Sequence, residues 1–214
     1  MSASDLIIAV DGPTASGKGT IARALSAHFG LPHLDTGLLY RAVGQQCLRD
    51  GGNPDDPVAA LAACTFPETL LADPELRSEA SGGLASRVSV HPAVRQALYE
   101  RQRAFATQPG GAVLDGRDIG TVIVPEAQAK LFVVASVDAR ARRRFLEMHG
   151  QGRDITLETI AADLAARDER DRSRKDAPLV AADDAVQLDT SELRREEAIA
   201  AAIAAVEARR EQAG

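Results

Sequence analysis

Ten residues near the N-terminus, Asp11-Gly12-Pro13-Thr14-Ala15-Ser16-Gly17-Lys18-Gly19-Thr20, have the types and spacing to hold a chain of phosphates. Gly12, Gly17 and Lys18 fit the pattern G-x-x-x-x-G-K. Glycine reaches dihedral angles closed to other residues, so backbone N–H groups can come close to phosphate oxygens. A helix starting at this point aims its positive end at the same anions. Lys18 can neutralise charge between the outer phosphates as a phosphoryl group moves. Gly19 stands where many such loops carry Ser or Thr, and Thr20 follows one place later. A chance glycine turn is the alternative. The apolar run Leu6–Val10 before the loop and the helical pattern after it argue against chance.

Three further clusters could serve the same chemistry. Asp35-Thr36-Gly37-Leu38-Leu39-Tyr40-Arg41 brings a hydroxyl, a phenol and a guanidinium to the end of a short strand, where parallel α/β sheets place ligands. Arg grips phosphate with two hydrogen bonds. Thr36 as a helix cap with Tyr40 and Arg41 on the surface is the plainer reading. Leu114-Asp115-Gly116-Arg117-Asp118 is an apolar strand ending in a carboxylate, and Asp115 is placed to hold Mg²⁺ through water. A turn with a local ion pair is its alternative. Arg167, Arg170 and Arg174, at i, i+3 and i+7, are expected on one helical face. They repel unless they meet anions. Asp163, Asp168 and Asp171 could satisfy part of that charge through i, i+4 pairs, which are weak. Beside a phosphate loop, a lid that delivers arginines is preferred to a salt-bridged surface helix.

The elements that must position these groups alternate. Strands are expected at about 6–11, 33–36, 112–114, 130–136 and 186–189, and helices at about 18–29, 37–49, 92–107, 139–149, 157–170 and 192–210. Asp138 and Thr156 are read as helix caps. This order predicts an α/β fold, a central five-stranded parallel sheet with helices on both faces. Residues 53–83, with Pro54, Pro57, Pro67, Pro74 and Gly82-Gly83, have weak periodicity and read as an excursion away from the sheet. The chain of 214 residues suits one domain. Its division is read as a core of about 1–50, 84–149 and 177–214, an insert of about 51–83 and a lid of about 150–176.

Composition narrows the class. The formal charge of −6 argues against a general nucleic-acid binder. Yet residues 140–175 hold ten basic against seven acidic residues, a locally positive stretch in an acidic chain. No apolar run approaches 18 residues, so no membrane span is expected. Residues 1–5 lack the basic start of a leader. Cys47 and Cys64 lack metal-ligand spacing and read as reduced structural thiols, which fits a cytoplasmic protein.

Taken together, the G-K-G-T ending, L-D-T-G-x-x-Y-R (Leu34–Arg41), Arg95 with Gln102-Arg103-Ala104-Phe105, D-G-R-D-I-G-T (Asp115–Thr121) and R-D-x-R-D-x-x-R (Arg167–Arg174) followed by Ala177-Pro178-Leu179 resemble the bacterial cytidylate kinases along nearly the whole chain. The resemblance implies a P-loop kinase fold with a small nucleoside-monophosphate-binding insert and a lid. It implies transfer of the ATP γ-phosphoryl group to CMP or dCMP with Mg²⁺, in line and without a covalent intermediate. Gly12, Pro13, Thr14, Ala15, Ser16, Gly17, Lys18, Gly19 and Thr20 would bind ATP. Thr36, Tyr40, Arg41 and Arg117 would surround the CMP phosphate. Ser86, with Ser89 as an alternative, and Arg95, Asp118 and Arg174 would read cytosine, while Arg167 and Asp171 would hold the ribose. Lys18, Arg117 and Arg167 would be the catalytic cations. Only 44 residues separate Arg41 from Ser86, shorter than the β-rich insert of some members. A monomer is expected. UMP, AMP or a metabolite such as shikimate remain alternative acceptors, and a nucleotide-binding regulatory module is the rival class.

Overall fold

The computed structural model describes residues 5–150 and 152–213. Residues 1–4 and Gln151, which fall in the N-terminal segment and the lid as read from the sequence, lie outside the described residues. Five strands form one sheet: β1 (Leu6–Asp11), β2 (His33–Asp35), β3 (Gly111–Gly116), β4 (Ala129–Val134) and β5 (Val186–Asp189). Their order is β2-β3-β1-β4-β5. β1 runs parallel to β3 and β4, and β4 parallel to β5. The expected five-stranded parallel sheet is therefore present. β1 is central because it is apolar on both faces, and Ile8, Ala9 and Val10 have no exposed surface.

Two compact units divide the chain, Met1–Leu34 with Ala106–Gly214 and Asp35–Phe105. The first carries the sheet. On one face α1 (Lys18–Phe29) and α8 (Arg195–Ala213) seat Ile21, Leu25, Ala198, Ala202 and Val206 on Ile8, Val10, Val113, Leu131 and Val133. Each buried Ile, Leu or Val contributes about 1.5–3 kcal/mol. α8 starts at Arg195, three residues later than its pattern suggested.

α6 (Val137–Gly150) and α7 (Leu157–Arg172) complete this unit. Thr156 caps α7 as expected, accepting from the Thr159 amide at 3.2 Å. Asp138 does not cap α6; it sits in the first turn, and the Ser136 hydroxyl accepts from the Ala139 amide at 3.1 Å. Both residue types suit a cap, and the helix simply begins earlier than its apolar pattern.

The second unit is helical: α2 (Thr36–Arg49), α3 (Pro57–Ala62), α4 (Glu79–Val88) and α5 (Pro92–Ala106). Single turns of 3-10 helix at Ala63–Thr65, Glu68–Ala72 and Pro74–Arg77 fill the Pro-rich stretch. Thus the segment 53–83 is not structureless. It belongs to a larger helical unit, with Ala60, Leu70 and Leu76 buried. Gly82 and Gly83, read as the close of the excursion, lie inside α4, whose start is capped by Ser78 accepting from the Ser81 amide. Thr36 is the first residue of α2 and not its cap.

Candidate active site

The loop between β1 and α1 has the strain that a phosphate cradle requires. Gly12 has φ of 152°, and a Cβ there would lie 2.1 Å from the Val133 carbonyl oxygen. Only glycine fits, because the loop is pressed against β4. Ala15 also takes a positive φ, 62°. Side chains hold the loop's carbonyls: Lys18 Nζ donates to Pro13 at 3.3 Å, Arg140 Nη1 to Thr14 at 3.0 Å and Thr190 Oγ1 to Ser16 at 2.9 Å. A carbonyl held by a donor is not aimed at a phosphate. Ala15 rests on an apolar cluster of Ala141, Met148, Ile160 and Leu164 from α6 and α7. Ser16 Oγ is buried without a hydrogen-bond partner among the described residues. A polar atom left so in an anion-binding loop fits a ligand partner.

Two arginine–aspartate pairs join this loop to α7. Arg140, on α6, donates to both carboxylate oxygens of Asp168 at 3.0 and 2.6 Å, and both side chains are almost wholly buried. Arg117 donates through Nε to Asp171 at 2.8 Å and through Nη2 to the Thr14 hydroxyl at 2.6 Å. Thr14 therefore receives Arg140 on its carbonyl and Arg117 on its hydroxyl, while Asp168 and Asp171, one helical turn apart, anchor the same two arginines. Burial alone would raise the Asp171 carboxyl, but Arg117 and Arg174 outweigh it and hold it below the usual carboxylate range. Burial likewise opposes the charge on Arg117, and Asp171 overcomes it, leaving the guanidinium more firmly protonated.

This changes the reading of the arginine cluster. α7 ends at Arg172, so Arg174 does not share a helical face with Arg167 and Arg170. It lies in the returning chain, where its Nε donates to the Asp171 carbonyl at 3.3 Å and its Nη2 pairs with the Asp171 carboxylate at 3.2 Å. Asp168 serves Arg140 on another helix, and Asp171 pairs with Arg117 and, three residues on, Arg174. Arg167 is half-buried and Arg170 exposed.

At the ends of the central strands stand carboxylates of different character. Asp115 is the penultimate residue of β3, which is buried throughout; it is 4 % exposed and hydrogen-bonded to His33 Nε2 at 2.7 Å through Oδ1. Its Oδ2 lies 3.6 Å from where a Cβ on Gly19 would stand, so the carboxylate reaches the phosphate loop. No group of three or more His, Cys, Asp or Glu residues forms a metal cage among the described residues. A single carboxylate beside a phosphate loop fits Mg²⁺, which keeps water and phosphate oxygens as its other ligands. Asp118 is buried at 5 % exposure.

Sequence reasoning missed Asp11, His33, Arg140 and Thr190, and it offered Asp168 to arginines of its own helix where the structure pairs it with Arg140. Asp11 appeared only as the first letter of the loop. Its carboxylate is buried and accepts from the amides of Ile119 and Gly120 at 2.8 and 2.7 Å. Burial raises its pKa to about 7 against those amides and Lys18. The signal available was a carboxylate closing an apolar strand; its partners are over a hundred residues away. Arg140 was counted in the basic stretch, with nothing local to show its burial.

The helical unit holds the other expected residues. Thr36 and Tyr40 are buried and Arg41 is half-buried on α2. Arg41 Nη1 donates to the carbonyls of Leu76 and Ser78 at 2.7 and 3.1 Å, which fixes its guanidinium. Arg95, on α5, lies over the Tyr40 ring with its guanidinium carbon 5.9 Å from the centroid. Ser86 is half-buried on α4. Ser89 is buried beyond the helix end, its hydroxyl donating to the Ser86 carbonyl at 3.2 Å. Cys47 and Cys64 are free thiols, Cys47 buried and Cys64 partly so, and burial pushes the Cys64 thiol up to about 11.

A central parallel sheet, a strained G-x-x-x-x-G-K loop and arginines converging on that loop define a P-loop phosphotransferase. Solved structures with the same fold include an uncharacterised protein from Eubacterium ventriosum (TM-score 0.56, 14 % identity, covering 94 % of this chain and 98 % of its own). A gluconokinase from Sinorhizobium meliloti is a second (TM-score 0.51, 16 % identity, covering 97 % and 95 %). The sequence profile of cytidylate kinase matches residues 8–208. A cytidylate kinase of Xanthobacter autotrophicus is 59 % identical over 96 % of this chain and 99 % of its own length, and one from Caulobacter is 54 % identical over 97 % of each. The chain belongs to the cytidylate kinase family. Its activity is ATP-dependent phosphorylation of CMP to CDP.

Proposed function

We propose that dCMP serves beside CMP as acceptor, and that catalysis is positioning plus charge neutralisation with no covalent intermediate. The observation that carries this reading is the convergence on Thr14. The phosphate loop, Arg117 and, through Asp171, the end of α7 are joined there by hydrogen bonds of 2.6 and 2.8 Å. In the strand-bearing unit, residues 12–20 bind ATP, and Lys18 follows the charge as the phosphoryl group moves. Mg²⁺, held by Asp115 with water, supplies neutralisation of the phosphate chain when bound. Arg117 and Arg167 hold the charge that builds on the transferring group. Asp118 accepts from the cytosine amino group, Arg174 supports it, and Asp171 takes the ribose. In the helical unit, Thr36, Tyr40 and Arg41 take the acceptor phosphate, and Ser86 and Arg95 the base. Ser89 is the alternative to Ser86. Residues 150–176 act as the lid.

The protein works as a monomer in the cytoplasm. No helix among the described residues is long and apolar enough to cross a membrane. A coupled assay of ADP release with CMP, dCMP, UMP, AMP and shikimate tests the acceptor range. Turnover with CMP and dCMP far above the others is expected. A second assay without Mg²⁺ should show transfer collapse; persistence in chelator would remove Asp115 from its assigned role.

A further inference from the structure

We propose that Asp11 is a positioning residue for acceptor recognition: by accepting from the Ile119 and Gly120 amides, its carboxylate fixes the Arg117–Asp118 segment beside the end of β1 and so sets how tightly and how selectively CMP is held. Asp11 ends β1 and is paired in register with Gly116 of β3, so the chain leaving β3 turns next to it. Arg117 and Asp118 follow at once, and then a short turn of π-helix, Ile119–Ile123. Asp11 Oδ1 accepts from the Ile119 amide at 2.8 Å and Oδ2 from the Gly120 amide at 2.7 Å. Two adjacent amides held by one planar carboxylate fix the orientation of the peptides on both sides of Ile119. The first of these peptides carries the Asp118 carbonyl. Ile119 is wholly buried, and Gly120 is crowded by the Lys130 side chain, so the turn has little freedom to find another path.

The carboxylate is chemically suited to this task and costly to place. It is 5 % exposed, and burial lifts it to about 7. A neutral side chain would be cheaper to bury, but only a carboxylate offers two acceptors and no donor to two N–H groups. Asp11 also precedes Gly12 and its charge acts on Lys18, but its carboxylate hydrogen bonds go to the Ile119 and Gly120 amides, and the loop's path is held by other groups. The path at Gly12 is set by contact with the Val133 carbonyl, and the next carbonyls are held by Lys18, Arg140 and Thr190. Loss of the Asp11 brace therefore falls on the acceptor rather than on ATP.

The inference rests on Arg117 and Asp118 contacting the acceptor, and the experiment separates the two claims. Asp11→Asn keeps the volume but turns one amide acceptor into a donor. In the nucleotide-free variant, amide exchange at Ile119 and Gly120 should accelerate by about tenfold or more. In kinetics, the KM for CMP should rise about tenfold and the CMP-over-UMP ratio of kcat/KM should fall, while the KM for ATP changes less than about threefold. Faster exchange with unaltered CMP and UMP kinetics would make Asp11 a purely structural brace and overturn the proposal, as would unaltered exchange. Gly120→Ala approaches from the other side, its Cβ 3.5 Å from Asp11 Oδ2 and 3.1 Å from Lys130 Cδ. It should reproduce the CMP-directed loss and decides the matter if Asp11→Asn does not fold. Arg117→Ala and Asp118→Asn are run in parallel. If they act on CMP and neither brace variant does, the brace proposal alone falls. If they too leave CMP untouched, the assignment of the acceptor site falls with it.

Discussion

At the residue scale, function depends on a few charged groups whose environments differ sharply. Lys18 is only partly buried and belongs to no core, so Lys18→Ala should leave thermal stability unchanged while phosphoryl transfer falls at least about a hundredfold, the loss of one preorganised charge at a transition state. Near-normal turnover in a stable variant would exclude a P-loop mechanism. Asp118 makes a second case. Cytosine offers an amino donor where uracil offers a carbonyl, and a buried carboxylate rewards the first and repels the second. Asp118→Asn should narrow the CMP-over-UMP ratio of kcat/KM, mainly through loss of CMP; an unchanged ratio shows that Asp118 does not read the base. Asp11 yields a pH prediction. Its pKa is about 7 in the fold against about 3.9 in an unfolded chain. The proton is bound more tightly when folded, so the stability it contributes is complete below about pH 4 and is lost as pH rises to about 7. Chemical denaturation of wild type and Asp11→Asn across this range should show wild type losing stability relative to the variant by a few kcal/mol in order of magnitude. A flat difference would mean that the carboxylate is ionised throughout.

At the element scale, the site is a matter of which helix holds which loop. The Arg140–Asp168 pair joins α6 to α7 and carries a hydrogen bond to Thr14 in the phosphate loop. Removing one partner strands a buried charge, so Asp168→Ala should cost about 3–5 kcal/mol, whereas replacing both, as Arg140→Met with Asp168→Leu, should cost much less. Denaturant unfolding of the single and double variants checks this; equal losses would mean that the buried charge is not what the single variant exposes. These elements also show what the sequence could tell. β1, α1 and the loop between them were legible because each declares itself locally, through an apolar run, a helical period and glycines at fixed spacing. Thr156 was legible as a cap for the same reason. Asp138 was misread because any short polar residue near a helix start suits the pattern. The arginine face of α7 was misread because helical spacing was carried past Arg172, where the helix ends. The roles of Asp11 and Arg140, and the true partner of Asp168, were not legible because those partners are supplied by the fold: Asp168 meets Arg140 from 28 residues away and Asp11 meets Ile119 from 108. The Pro-rich segment hid α4, since Gly82-Gly83 in its interior reads as a break and only burial of Ser81, Leu84 and Val88 outweighs their low helix propensity.

At the scale of the whole molecule, the problem is to phosphorylate CMP and not water. Water is the more abundant acceptor, so the catalytic groups must be complete only when the nucleotide is present. The net charge of −6 disfavours anions in general, while residues 140–175 are locally net positive, with part of that charge paired internally, as in Arg140–Asp168 and Arg174–Asp171. The part proposed to respond is the segment 150–176. It is entered through Gly150 and Gly152, the latter at φ of 73°, and it carries Arg167, Asp171 and Arg174. Asp171 is now shared between Arg117 and Arg174. A ribose hydroxyl donating to Asp171 and a phosphate accepting from Arg117 would divide that cluster between protein and CMP, coupling the acceptor's arrival to the positions of the arginines. ATP hydrolysis without CMP should therefore be slower than transfer by at least about a hundredfold, or roughly 2.7 kcal/mol in the barrier. Arg174→Ala should raise the KM for CMP far more than it weakens ATP binding, because Arg174 pairs with Asp171, the carboxylate proposed to take the ribose. ATP affinity by titration, acceptor-free ADP release and CMP kinetics, measured on wild type and variant, test both statements. Free hydrolysis nearly as fast as transfer, or equal loss of ATP and CMP in the variant, would mean that this segment is a fixed wall of the site and that discrimination against water arises elsewhere.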